Sequence, residues 1–202
     1  MRKRNLILSL LFGILFIVVM VMVILGMTDS FDQMVYHFVI SFRSSFLDSY
    51  FITITKLGNT SIVILVILAF VLATRNRYGL FLAISAIDAF ILTTLIKLGV
   101  QRARPEELRL IAQGGYSFPS GHTMMAICVY GYLFYLAMTQ IKNKVLKYVV
   151  SIVLLLVILS IGVSRIYVGV HFASDVLGGY LLSLCYLFLF VEVTKNIHFK
   201  RG

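Results

Sequence analysis

Residues 147–166 read KYVVSIVLLLVILSIGVSRI, a block in which nearly every position is apolar. A helix over this block is long enough to span the hydrocarbon core of a bilayer, which needs about 20 apolar residues. The whole chain has the same character, because 60% of its 202 residues are hydrophobic and only 13% are charged. Soluble domains carry about 25% charged residues. The sequence therefore predicts that lipid surrounds its apolar blocks.

Blocks of this kind recur along the chain and predict an all-α fold, a polytopic membrane bundle of six transmembrane helices. The predicted spans cover residues 5–26, 55–74, 79–98, 121–140, 147–166 and 175–194. The first block is longer than the apolar core of a signal peptide, which has about 7–15 residues, so we expect it to be a retained helix. We expect residues 1–202 to form a single domain.

The segment 29–54 mixes acidic side chains such as Asp29 and Asp48 with several phenylalanines. This mixture predicts an amphipathic helix that lies on the outer face of the membrane. An irregular loop is the alternative interpretation.

The basic residues predict the orientation of the chain. The net charge of +10 does not indicate a nucleic-acid-binding protein, because the basic residues form short clusters between apolar blocks. Eleven of the 18 Lys and Arg residues lie at the termini and in the loops that share their side of the membrane. Because the side richer in basic residues is cytoplasmic, we expect cytoplasmic termini and outward-facing polar segments around residues 97–120 and 164–175.

The first polar segment runs from Lys97 to Pro105. Lys97 and Arg104 are seven residues apart, so the sequence predicts that they share one face of a helix end and can hold an anion together. The alternative is that both side chains simply anchor the membrane end of the helix.

The second polar segment, Pro119-Ser120-Gly121-His122, opens the fourth predicted span. Ser120 is suited to cap the helix, and Gly121 allows the backbone to approach a ligand. The free N–H groups of a helix N-terminus favour an anion, which would then lie beside His122. The alternative is an ordinary capped helix with an incidental histidine.

The third polar segment places Arg165 six residues before His171, and Asp175 four residues after it. On a helix this spacing lets the carboxylate reach the imidazole, fix its tautomer and support positive charge on it. The alternative for Asp175 is a purely structural interaction with the helix dipole.

Metal binding is the competing interpretation of these segments. The zinc-ligand candidates are His122, His171, Asp175, Glu106 and Glu107. Fixed cations nearby would repel a metal ion and instead suit an anionic phosphoryl group. We therefore expect neither a metal nor another cofactor. The two cysteines, Cys128 and Cys185, lie in apolar blocks and are expected to be packing residues.

Taken together, the three segments resemble the signature of the type-2 phosphatidic acid phosphatase superfamily, which also includes vanadium haloperoxidases. Within that superfamily, the six-span outline is similar to the small bacterial integral-membrane branch. The matching positions are Lys97, Arg104, Pro105, Pro119, Ser120, Gly121, His122, Ser164, Arg165, His171 and Asp175.

The resemblance implies a role for each matching site residue. His171 would be the nucleophile that forms a phosphohistidine, and Asp175 would orient it. His122 would protonate the leaving group and then activate water. The phosphoryl oxygens would be held by Lys97, Arg104, Ser120, the Gly121 amide and Arg165. The family implies no metal.

The implied activity is hydrolysis of a lipid phosphate or diphosphate taken from the outer leaflet. Undecaprenyl diphosphate, phosphatidylglycerophosphate and phosphatidic acid all qualify, and we expect no nucleic acid and no obligatory protein partner. A lipid phosphotransferase using the same site is an alternative. A transporter is a further alternative, although only Asp88 lies near the middle of a predicted span.

Overall fold

The computed structural model describes residues 2–195 and residue 197, and the elements within them are all helical. The helices are α1 (Arg2–Ile24), α2 (Asp29–Ile40), α3 (Ser45–Thr55), α4 (Thr60–Thr74), α5 (Arg77–Val100), α6 (Gly121–Gln140), α7 (Lys144–Tyr167) and α8 (Ala173–Thr194). A short 3₁₀ turn, Lys56–Gly58, joins α3 to α4, and one π-helical segment, Ala126–Gly131, lies within α6.

Five of these helices are long and apolar enough to cross a membrane: α1, α5, α6, α7 and α8. They confirm five of the six predicted spans, with ends that differ by a few residues. Their outward surfaces carry exposed aliphatic side chains, such as Leu10 and Val145. In water such a surface would be unstable, but in a bilayer it is the surface that lipid covers.

The predicted second span, residues 55–74, corresponds to a bent pair of helical segments and not to one straight helix. Helix α4 begins at Thr60 and has 15 residues, so it is about 22 Å long and too short to cross a bilayer core of about 30 Å unaided. The chain bends by 59° between Ser45–Gly58 and α4, a geometry that broken spans and re-entrant loops share. The bend occurs because Asn59 is in an extended conformation between the two helical segments.

The segment 29–54 forms two helices, α2 and α3, instead of the single amphipathic helix that was predicted. Ser44 separates them and caps α3 by accepting a hydrogen bond from the Leu47 amide. Helix α2 buries Tyr36 and Ile40 against the bundle together with Asp32, whereas Phe31 and Phe38 are exposed. This arrangement suits an interfacial helix that presents its aromatic side chains to lipid.

Helix α6 is the centre of the bundle. Its residues 123–132 are all buried, and they pack mainly between α5, α7 and α8. Helices α7 and α8 meet closely at Gly162, where a Cβ atom would lie 2.0 Å from the Tyr180 hydroxyl. Small residues permit such close contacts between membrane helices. Helix α8 also packs directly against α6, so α6, α7 and α8 are in mutual contact.

Asp88, the carboxylate predicted near the middle of a span, has a partner on a neighbouring helix. The Tyr186 hydroxyl of α8 donates a hydrogen bond of 2.7 Å to its Oδ2. An intramembrane carboxylate is costly unless it is paired or neutralised. This contact is the kind of interhelical bond expected for a structural carboxylate.

Candidate active site

The three polar segments meet at one end of the bundle because the loop between α5 and α6 folds back over it. Within the loop, the Ser117 amide donates a hydrogen bond to the Arg102 carbonyl. Two further backbone hydrogen bonds attach the loop to the third segment: Leu110 donates to Val168, and Ser120 donates to Asp175. Segments far apart in sequence are thus joined through main-chain contacts.

Lys97 and Arg104 converge, but not on one face of a helix as predicted. Helix α5 ends at Val100, Gln101 turns the chain with a φ of 52°, and Arg104 lies in the loop beyond. Both side chains donate to the Tyr116 carbonyl, Arg104 through Nη2 at 3.0 Å. The turn after the helix, not helical periodicity, therefore brings the two cations together.

His171 and Asp175 are paired, although they do not share a helix as the spacing had suggested. Helix α8 begins at Ala173, so His171 precedes it and Asp175 lies in its first turn. The imidazole Nδ1 lies 3.3 Å from Asp175 Oδ2, and Nε2 lies 2.9 Å from Arg104 Nη1. Because arginine can only donate, Nε2 must accept, and the proton belongs on Nδ1.

The electrostatic environment keeps His171 neutral. Its side chain is almost completely buried. Burial lowers the pKa of His171 to about 3, outweighing the hydrogen bond and negative charge of Asp175, which act in the opposite direction. The result is a neutral imidazole whose Nε2 carries a lone pair next to a guanidinium group.

Arg165 is buried at the end of α7, and one of its three guanidinium nitrogens, Nε, has no hydrogen-bond partner among the described residues. Its Nη1 donates to Thr55 Oγ1 at 2.7 Å, and its Nη2 donates to Gln113 Oε1 at 2.9 Å. Among the described residues, no acceptor lies within hydrogen-bond distance of Nε. A buried, unsatisfied guanidinium donor is costly unless a ligand completes it.

The second segment is located as predicted at the start of α6, with one difference in detail. Ser120 occupies the N-cap position, but its side chain makes no capping hydrogen bond and instead accepts one from the Thr123 hydroxyl at 2.9 Å. The hydroxyl hydrogen of Ser120 therefore remains available to a ligand. The Gly121 amide lies in the first turn, where N–H groups have no partner within the helix.

The His122 ring, in the first turn of α6, is contacted by the chain at the bend before α4. Its Nε2 lies 2.8 Å from Asn59 Oδ1, and Gly58 approaches so closely that a Cβ atom there would be 2.7 Å from His122 Cδ2. A cavity of about 200 Å³ is lined by Lys97, Gly121 and His122. The bend between α3 and α4 therefore places a second histidine beside the cations.

Asp175 is the most completely satisfied group of the site. Its Oδ2 accepts from the Ser117 hydroxyl and, at 2.8 Å, from the Phe172 amide, in addition to His171. Its Oδ1 accepts from Arg102 Nη1 at 2.8 Å. The sequence interpretation gave no role to Ser117 or Arg102, although the position of Arg102 between Lys97 and Arg104 was a signal.

The described residues contain no group of three or more His, Cys, Asp or Glu side chains that could hold a metal ion. The zinc candidates from the sequence are dispersed, since Glu106 and Glu107 are exposed on the loop while His171 and Asp175 are buried. The groups that the structure does bring together are cations and helix-end donors, which suit an anion.

Comparison with known proteins agrees with this geometry. Residues 76–199 match the PAP2 superfamily, and this range includes all three polar segments. Phosphatidylglycerophosphatase B of Bacillus subtilis (strain 168) is 32% identical over 169 residues, which are 80% of this chain and 82% of that protein.

Two solved structures share the fold. One, described as the first transmembrane PAP2 type phosphatidylglycerolphosphate phosphatase from Bacillus subtilis, superposes with a TM-score of 0.86 and 27% identity, covering 96% of this chain and 99% of that one. LpxE from Aquifex aeolicus superposes with a TM-score of 0.65 at 24% identity, covering 79% of this chain and 94% of that one. The matched range and the relatives establish that this chain is a multi-pass membrane protein of the PAP2 superfamily.

Proposed function

We propose that this protein is a membrane lipid phosphatase that hydrolyses a phosphomonoester or diphosphate through a phosphohistidine. One observation carries the proposal: a neutral His171 is held at Nδ1 by Asp175 and presents Nε2 to the Arg104 guanidinium. A nucleophile with its lone pair directed at a cation is arranged to attack a phosphoryl group that the same cation binds.

The reaction has two steps. First, His171 Nε2 forms a bond to phosphorus while the bond from phosphorus to the lipid oxygen breaks, and His122 gives a proton to the leaving oxygen. Second, His122 removes a proton from water as the water oxygen attacks phosphorus, which releases inorganic phosphate and restores His171. Asp175 stabilises the charge on the imidazole in the phosphorylated state.

Fixed donors of this chain would hold the phosphoryl oxygens. Positive charge comes from Lys97, Arg104 and Arg165. The Nε of Arg165, which has no partner among the described residues, can donate to a phosphoryl oxygen. The Ser120 hydroxyl and the Gly121 amide supply neutral donors at a helix N-terminus. Three cations on one phosphoryl group do what metal ions do in other phosphoryl-transfer enzymes, so we propose that the reaction needs no metal.

The surroundings of the site suit a lipid substrate. The cavity beside Lys97 and His122 shares Thr60, Phe90 and Met125 with an apolar groove of about 380 Å³ between α4 and α5. A phosphate bound at the cations would leave its acyl or prenyl chain in this groove, in contact with the bilayer. A soluble phosphate ester would gain nothing from such a groove.

We place both termini in the cytoplasm and the active site on the extracytoplasmic face, so that the substrate comes from the outer leaflet. The distribution of basic residues, eleven of 18 on the side of the termini, supports this orientation. We further propose that residues 1–202 act as one domain without an obligatory protein partner, because α1 packs along α8 and α2 contacts both α7 and α8.

The activity is tested with purified protein and a panel of lipids: phosphatidylglycerophosphate, phosphatidic acid and undecaprenyl diphosphate. We put phosphatidylglycerophosphate first in this panel, and the names of two relatives support that choice. We expect release of inorganic phosphate that persists in excess EDTA and disappears in His171→Ala. Transfer of label to a second lipid in place of water would indicate a phosphotransferase, and a strict metal requirement would contradict the proposed chemistry.

A further inference from the structure

Arg102 lies in the same loop as Arg104 but directs its guanidinium group at different partners. Its Nη1 donates to Asp175 Oδ1 at 2.8 Å and to Ser174 Oγ at 2.7 Å, whereas Arg104 contacts the His171 ring. The guanidinium also lies over the Phe172 ring, 4.7 Å from its centroid. Arg102 is therefore bound to the first turn of α8, behind the carboxylate that faces His171.

Asp32 of α2 holds the other side of Arg102. Arg102 Nη2 donates to Asp32 Oδ2 at 2.7 Å. Asp32 is 1% exposed, and its two oxygens also accept from the Ser174 amide at 2.8 Å and the Ser174 hydroxyl at 2.5 Å. The interfacial helix α2 is thus joined to the first turn of α8 through one arginine and one serine.

The charges explain why this link is required. Asp32 and Asp175 are two fully buried carboxylates that share a single guanidinium group. Breaking a buried ion pair by removing one partner is strongly unfavourable, because it leaves an uncompensated charge. Without Arg102, both carboxylates would lose their shared counter-charge, and Asp175 would lose the donor that occupies its Oδ1.

We propose that Arg102, fixed in place by Asp32, is a positioning residue for the nucleophile. It acts through Asp175: by occupying Oδ1 it keeps Oδ2 directed at His171 Nδ1, which holds the imidazole in the tautomer whose Nε2 is unprotonated. The hydrogen bonds of the Arg102 guanidinium go to Ser174, Asp175, Thr28 and Asp32, so its proposed effect on the reaction is indirect. This inference rests on the proposed function, since it concerns the rate of the same reaction.

The test compares kcat and KM of Arg102→Gln, Arg102→Lys and Asp32→Asn with the wild type on the same lipid phosphate. Loss of a partner that orients a reacting group costs about 10–100-fold in activity. We expect kcat of Arg102→Gln to fall about 100-fold while KM and inhibition by orthovanadate change less than about threefold. Arg102→Lys, which keeps the charge but not the two-sided bridge, should recover part of the loss.

A double-mutant cycle tests whether Asp32 acts through Arg102. Asp32→Asn alone should lower kcat about tenfold, but it should have no further effect in the Arg102→Gln background. The double variant also lacks the unpaired charge on Asp32, so it provides the comparison with wild type if Arg102→Gln does not fold. Additive losses of kcat would contradict the chain of contacts from Asp32 to Asp175.

Asp29→Asn is the matched control. Asp29 is on the same helix and lies 3.7 Å from Arg102 Nη2, but its side chain is 71% exposed, so its loss should change kcat less than about twofold. An unchanged kcat per folded molecule in Arg102→Gln would overturn the positioning role. A larger change in KM than in kcat would instead make Arg102 a phosphate ligand. If wild type and Asp29→Asn both fail to release phosphate, the proposed function itself is wrong.

Discussion

We expect replacement of Arg165 by Met to weaken the binding of a phosphate analogue while leaving the stability of the ligand-free protein nearly unchanged. Arg165→Met removes two hydrogen bonds of a charged group, to Thr55 and Gln113, each worth about 1.5–3 kcal/mol. The variant also avoids the cost of burying a guanidinium group, which is several kcal/mol. That cost is not fully offset in the wild type, because Nε has no acceptor among the described residues. These opposing contributions nearly cancel, so we expect the free energy of unfolding without ligand to change by less than about 1 kcal/mol.

The effect of a phosphate analogue should differ sharply between the two proteins. At a concentration 100 times its Kd for the wild type, orthovanadate stabilises the wild type by about 2.7 kcal/mol. Losing one charge-assisted hydrogen bond of about 2 kcal/mol weakens binding to Arg165→Met about 30-fold, so the same concentration stabilises the variant by only about 0.9 kcal/mol. For a chain of this size, the wild-type gain corresponds to a Tm increase of about 5–10 °C.

Thermal unfolding in detergent, followed by far-ultraviolet circular dichroism with and without orthovanadate, measures both quantities. Arg75→Met, at the opposite end of the bundle and exposed, is the control and should retain the full Tm shift. A loss of more than about 3 kcal/mol in ligand-free Arg165→Met would show that Arg165 is mainly structural. An undiminished shift in that variant would show that Arg165 does not bind the phosphoryl group.

Three further predictions follow from the geometry of the site. In Gly58→Ala the new Cβ would lie 2.7 Å from His122 Cδ2, so one of the two must move. We expect kcat to fall about 10–100-fold, and an unchanged kcat would show that Gly58 does not set a catalytic position of the His122 ring. Burial lowers the pKa of His171 to about 3, so below about pH 6.5 the unfolded chain binds a proton at this histidine that the folded chain does not bind. The free energy of unfolding, relative to His171→Asn, should therefore decrease by about 1.4 kcal/mol for each pH unit below about 6.5. An opposite slope in paired denaturation curves would refute this. In intact cells a membrane-impermeant maleimide should label Glu106→Cys but not Lys142→Cys, and the reverse pattern would place the site in the cytoplasm.

The sequence predicted which polar side chains come together better than it predicted the backbone that joins them. The three polar segments could be recognised from the types and order of their residues. The structure brings together, at one end of the bundle, Lys97, Arg104, His122 and His171. Helical periodicity gave the wrong reason for two of the contacts. It assumed a continuous helix through Arg104 and through His171, whereas the first helix ends at Val100 and the second begins at Ala173.

The elements that were missed depend on information that a local pattern does not contain. Hydropathy responds to the preference of each residue for lipid, so it could not show that the chain bends by 59° between Gly58 and Thr60. The amphipathic pattern of the segment 29–54 gave Asp32 no partner, because Arg102 is 70 residues away in sequence. A buried ion pair between distant residues becomes visible only when the fold is known.

The central claim is that His171 becomes phosphorylated, and trapping that intermediate tests it most directly. Wild-type protein mixed with lipid labelled in its phosphate and quenched within a turnover should carry label that is stable to base and labile to acid, as a phosphohistidine is. Peptide mapping should place the label on His171, and His171→Ala should carry none while releasing less than about a thousandth of the wild-type phosphate. Label on another residue, or turnover by His171→Ala within tenfold of the wild type, would contradict the account.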